Sequence, residues 1–116
     1  MASIQRLHVG PRLSETAIYN GTVYLAGQVP DDLSQDIRGQ TAQVLAMVDR
    51  LLAEAGSDKS RILMTQIFLS DITDIAAMNE VWDAWIPEGN TPPRATVQAA
   101  MAKQGYKIEI VVTAAG

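Results

Sequence analysis

The chain has no cysteine and only one histidine, His8. Without cysteine there is no disulfide framework, no thiolate nucleophile and no cysteine-based zinc site. A single histidine also excludes histidine-rich metal centres and most histidine-dependent triads. His8 falls in a segment with the character of an N-terminal strand, where a surface or edge role is expected. Positive charge is scarce as well. Nine Lys and Arg stand against thirteen Asp and Glu, a formal charge of −4, and they form no basic stripe. Nucleic-acid binding draws affinity from neutralised phosphates, so an extended nucleic-acid interface is disfavoured. A small anionic ligand is not, because one arginine can take a carboxylate whatever the distant surface carries. No basic segment leads into an apolar one at the N-terminus, and no apolar run approaches the roughly 20 residues of a membrane helix. A cytoplasmic protein with no membrane partner is the expectation.

What is present suits one compact domain. The 116 residues are 47% hydrophobic by type, enough for a packed core. They contain no repeat, low-complexity tract or separating linker, so residues 1–116 read as a single unit. Ile4 to Val9 reads as a first strand, ended by Gly10-Pro11. Thr16 to Tyr19 and Thr22 to Ala26 read as two more, joined at Asn20-Gly21, a pair that tolerates the positive φ of a tight hairpin. From about Ser34 the period becomes helical. Ile37, Val44, Leu45, Val48, Leu51, Leu52 and Ala55 share one face, Asp36 sits near the positive end of the dipole, and Gly56 is placed for a left-handed cap.

Arg61 to Leu69 follows as a strand apolar on both sides, with Leu63, Ile67 and Leu69 on one and Ile62, Met64 and Phe68 on the other. A second helix takes Thr73 as its N-cap and carries Ile75, Met78, Trp82, Trp85 and Ile86 as a stripe, until Pro87 and Gly89 stop it. The last strands run from Ala95 to Ala100 and from Lys107 to Ala114, joined through Lys103-Gln104-Gly105. The order βββ-α-β-α-ββ predicts an α+β fold, one mixed sheet with both helices packed on one face. Two helices cover only one side, yet the strand at Arg61 to Leu69 is apolar on both. The uncovered face is therefore expected to meet another subunit.

Two segments stand out chemically. In Thr91-Pro92-Pro93-Arg94-Ala95-Thr96, two prolines hold the approach extended and an arginine follows at the start of a strand. Such a guanidinium can receive a carboxylate through two parallel hydrogen bonds, or it can simply reach solvent or a neighbouring acid. In Lys107-Ile108-Glu109-Ile110-Val111-Val112, alternation puts Ile108, Ile110 and Val112 under the helices and Glu109 on the opposite face. A carboxylate there needs a partner or ordered water. It is either one half of an interface salt bridge or a group that orients a water for attack on an electrophilic carbon. Gly27, in Gly27-Gln28-Val29-Pro30, permits close approach to the backbone or merely serves a turn. Asn79 lies about 100° from the centre of the Trp82 stripe and reads as a solvated polar residue. Trp82 and Trp85 read as core rather than as a stacking platform.

Four segments in order resemble the reactive intermediate deaminase family (RidA, or YjgF-like, formerly the L-PSP endoribonuclease group). They are Leu25-Ala26-Gly27-Gln28-Val29-Pro30, Asp71-Ile72-Thr73-Asp74-Ile75-Ala76-Ala77-Met78-Asn79, Pro93-Arg94-Ala95-Thr96-Val97 and Lys107-Ile108-Glu109-Ile110, and the resemblance runs almost end to end. It implies a chorismate-mutase-like fold assembled as a homotrimer, with sites in the clefts between subunits. It further implies hydrolysis of 2-aminoacrylate and its imine tautomer to a 2-keto acid and ammonia, without metal or organic cofactor. In that reading Arg94 clamps the substrate carboxylate and Glu109 holds and activates the water. Backbone groups at Gly27 and Thr96 touch the imine nitrogen region, and Asn79 supports them. Two positions depart from the family pattern. The stretch Arg12-Leu13-Ser14-Glu15 lacks the tyrosine many members carry, and Thr96 stands where a cysteine is common. These departures bear on the pocket's shape and on thiol-based regulation, not on Arg94 and Glu109. Two rival readings share some of these residues. A non-enzymatic module that binds 2-keto acids needs Arg94 but not Glu109, and RNA cleavage fits poorly with the acidic charge and lone histidine.

Overall fold

The computed structural model describes residues 3–116. Its elements are β1 (Gln5–Val9), β2 (Ser14–Tyr19), β3 (Thr22–Leu25), α1 (Ile37–Glu54), β4 (Ile62–Leu69), α2 (Ile75–Trp85), β5 (Arg94–Gln98) and β6 (Ile108–Ala115), in the expected order. The six strands form one mixed sheet in the order β1-β2-β3-β6-β4-β5. Only β4 and β5 run parallel, as the α2 crossover between them requires. Asn20 (φ 50°) and Gly21 (φ 76°) make the tight turn between β2 and β3.

The ends of α1 show why the helix occupies this stretch. The Asp36 side chain accepts from the Gly39 N–H at 2.9 Å, satisfying a donor the first turn leaves free. At the other end Gly56 adopts φ 79°. Its N–H reaches the Ala53 carbonyl at 3.1 Å and that of Ser57 reaches Leu52 at 2.8 Å, the paired bonds of a Schellman cap. The start of α2 differs from expectation. Thr73 does not cap it. Asp71 caps a single 3-10 turn, Ile72–Asp74, by accepting from both the Thr73 N–H and the Thr73 hydroxyl, and those bonds hold its carboxyl below the usual carboxylate range.

The core lies between the helices and one sheet face. Val23, Leu25, Ile67, Leu69, Ile108, Ile110 and Val112 meet Val44, Leu45, Val48, Leu52, Met78 and Trp82 there. In β6 the alternation is as expected, with Ile108, Ile110, Val112 and Ala114 buried and the residues between them half-buried. In β4 it is not. A bulge between Ile62 and Met64 shifts the register, so Ile62 joins the core and Leu63 is half-exposed, the reverse of a strict two-residue alternation. The uncovered face carries Tyr24, Met64 and Val97, each 45–49% exposed, around half-buried Phe68 and Val111.

One polar residue inside the core holds the connection before β6. Gln40, fully buried in α1, donates to the carbonyls of Gln35 (3.2 Å) and Gly105 (3.0 Å) and accepts from the Lys107 N–H at 2.8 Å. Its amide thus pins the loop that delivers Glu109.

Candidate functional site

Sheet alternation divides the candidate residues into two groups. Arg94 pairs in register with Thr65 and Thr96 with Ile67. Thr65 and Ile67 are buried on the helix-covered side, so Arg94 and Thr96 share that side. They stand on β5, the edge strand, beside α2. The Arg94 guanidinium carbon lies 5.3 Å from the centre of the Trp82 ring. Asn79 stands one turn before Trp82 on the same helix. It is half-buried rather than solvated, and its Oδ1 is buried without a hydrogen-bond partner, which corrects the expectation drawn from spacing.

Glu109 belongs to the other group. It pairs with Phe68 of β4 and projects onto the open face. Gly27 lies directly against it. A Cβ built at position 27 would come within 2.0 Å of Glu109 Oε2 and 2.8 Å of its carboxyl carbon, so only glycine leaves the carboxylate its place. The backbone here is fixed: Gln28 exchanges two hydrogen bonds with Ile110, at 2.8 and 3.1 Å. The buried Gln28 side chain donates to Glu15 Oε2 (3.2 Å) and to the Ala26 carbonyl (3.0 Å). Leu13, two residues before Glu15 in chain order, is 55% exposed near this end of the sheet.

Thus Arg94 and Thr96, on the face that α2 and its Asn79 cover, form one candidate half, Gly27 and Glu109 the other, and the two face away from each other across β4. Neither charged member is in an ion pair among the described residues; the pairs there are His8–Glu54, Arg38–Glu80 and Arg50–Glu54. His8, with φ 54° on the edge strand β1, donates from Nε2 to Glu54 Oε2 at 2.5 Å, away from both halves, in the edge role expected of it. Among the described residues no three His, Cys, Asp or Glu side chains converge as a metal would require, and no helix is long and apolar enough to cross a membrane.

The profile of the endoribonuclease L-PSP family matches residues 3–116. The chain belongs to that family. Among its L-PSP relatives, a RutC family protein of Haemophilus ducreyi is 50% identical over 112 residues, covering 97% of this chain and 96% of that one. The crystal structure of a YjgF family member from Neisseria meningitidis superposes with a TM-score of 0.95 at 45% identity, covering 97% of this chain and 94% of that one. A 2-iminobutanoate/2-iminopropanoate deaminase of Rattus norvegicus is 30% identical over 103 residues, 84% of this chain and 74% of that protein. The four segments that carried the resemblance therefore mark true membership of the L-PSP family. Sequence reading missed the supporting roles of two residues. Gln40 was not singled out, and only its pairing with Gly105 and Lys107, 65 and 67 positions away, reveals it. Trp82 was read as core alone, and it is also the surface on which Arg94 rests.

Proposed function

We propose that this chain hydrolyses small 2-imino acids and their enamine tautomers to 2-keto acids and ammonia, in clefts between subunits of a homotrimer. The observation that carries the reading is the carboxylate of Glu109, without a hydrogen-bond or ion-pair partner among the described residues and seated over a glycine that alone leaves it room. Support comes from Arg94, a guanidinium with no anionic partner among the described residues, and from the 30% identical deaminase of rat. Arg94 of one protomer takes the substrate carboxylate bidentately. Glu109 of a neighbour, across the interface, accepts a proton from water as its oxygen adds to the imine carbon. That proton passes to the nitrogen to give a carbinolamine; its hydroxyl proton then moves to the amine, through Glu109, as the C–N bond breaks, and ammonia leaves a carbonyl behind. An imine is already electrophilic, so positioning and water activation suffice. Thr96 and the backbone at Gly27 line the nitrogen region, with Asn79 in support. The open apolar face supplies the contact between subunits.

The test uses imino acids produced in place by an amino-acid oxidase, with keto-acid and ammonia release followed in time. Wild-type protein should accelerate release, and Arg94→Ala and Glu109→Gln should each abolish the gain. Mixing the two inactive variants under conditions of subunit exchange should restore roughly a quarter of the wild-type sites by random assortment, since each variant still supplies the half the other lacks. No acceleration by wild type for any imine would refute the enzyme. Loss of 2-oxobutanoate binding in Arg94→Ala, with Glu109→Gln harmless to every function, would leave a carboxylate-binding module instead.

A further inference from the structure

Arg94 is held by a ring rather than by a charge. An arginine on a carboxylate of its own chain would be engaged already, and one on a free stem would sample many rotamers. A guanidinium lying over an aromatic face does neither. Its carbon is 5.3 Å from the Trp82 ring centre and, among the described residues, the fork donates no hydrogen bond, so the cation–π attraction restrains it while its donors stay unused. The platform is itself packed into the core. Trp82 is 4% exposed in the core beneath α2. Its ring leans on Trp85 with centroids 5.5 Å apart and planes at 50°, and the Trp85 Nε1 donates to Asp49 Oδ2 of α1 at 2.9 Å. A rigid line therefore runs from α1 through both indoles to the guanidinium.

We infer that Trp82 is a positioning residue of this site, presetting the plane in which Arg94 receives the substrate carboxylate. The inference rests on the carboxylate-binding role proposed above for Arg94. An oriented fork loses less freedom when the ligand arrives, so the effect belongs mainly to binding. Removing the ring should raise KM for the imino acid and Kd for 2-oxobutanoate about three- to thirtyfold, the range of a partly desolvated cation–π contact. The turnover number should stay within about twofold of wild type.

The experiment compares Trp82→Leu, Trp82→Phe and Arg94→Ala in the full-length protein, with a spectroscopic arm alongside. Trp82→Phe keeps a ring face and should retain KM within about threefold of wild type, whereas Trp82→Leu should not. Trp82 and Trp85 are the only tryptophans, so Trp85→Phe leaves Trp82 as sole reporter. Its emission should change saturably as 2-oxobutanoate is added, and Arg94→Ala in that background should remove the change. If Arg94→Ala binds 2-oxobutanoate as wild type does, the carboxylate reading itself falls. If Arg94→Ala loses binding while Trp82→Leu keeps the wild-type KM, or while the Trp82 emission stays flat on ligand binding, the positioning role alone is overturned. Should Trp82→Leu fail to fold, the emission titration decides.

Discussion

The two faces of the sheet obey different rules although the same strands make both. On the covered face, burial is close to complete. Leu69, Ile67, Ile108 and Ile110 are each at 0% exposure, and position is decided by packing. On the open face, Phe68, Val111 and Glu109 are half-buried with Tyr24, Met64 and Val97 around them. An acid stands there among apolar neighbours with no ion-pair partner among the described residues. The first face explains why the chain folds. The second is left uncovered by every element among the described residues.

That contrast can be broken on the open face first. Gly27→Ala should cost little stability, because the displaced atoms are the end of the flexible Glu109 side chain. It should nevertheless lower kcat/KM for imino-acid hydrolysis by about a hundredfold or more, the usual scale for losing a positioned acid–base group. Activity near wild type with an unchanged urea midpoint would show that Glu109 does not need its present seat. Next come the neighbours Leu69 and Phe68. Leu69→Ala should destabilise the fold by about 2–5 kcal/mol in urea unfolding. Phe68→Ala should cost less per chain, and its larger effect should be on the concentration dependence of assembly, read by sedimentation. Equal losses from both would erase the distinction between the faces.

Gln40→Leu should follow, at about 1–3 kcal/mol, since it strands the Gly105 carbonyl and the Lys107 N–H without partners. Hydrogen exchange at Lys107 should quicken with it, and an unaltered rate would mean the loop is held elsewhere. The smallest effect lies at the turns. Asp58 and Asp71 have carboxyls lowered by bonds from Ser60 and Thr73 respectively. A lowered folded pKa contributes stability above the unfolded value and loses it as pH falls through the folded one. The urea midpoint should therefore decline below about pH 4, and less steeply in Asp58→Ala or Asp71→Ala protein.

Much of the covered face was legible in the sequence because local rules and packing agree there. Asn20-Gly21, Asp36 and Gly56 do what their chemistry dictates, and the alternation in β6 placed Glu109 on the correct side. Thr73 misled because its hydroxyl donates back to Asp71, closing a 3-10 turn, and α2 then starts after Asp74 without a side-chain cap. The faces of Ile62 and Leu63 were reversed because a bulge is a single-residue event that no periodicity announces. Asn79 and Gln40 were illegible for another reason: each is defined by what lies against it in space, not along the chain. Arg94 and Glu109 were visible as residue types in suggestive places. That they point in opposite directions emerges only when β5, β4 and β6 are laid side by side.

From that back-to-back placement a mass-action consequence follows. If a working site needs both halves, complete sites are counted by contacts between chains, not by chains. A closed ring of three has three, an open pair has one and leaves two halves idle, and a lone chain has none. Specific activity then ceases to be a constant of the protein. It climbs with total concentration as rings close, and a ligand that bridges the halves draws chains together by as much as it is bound.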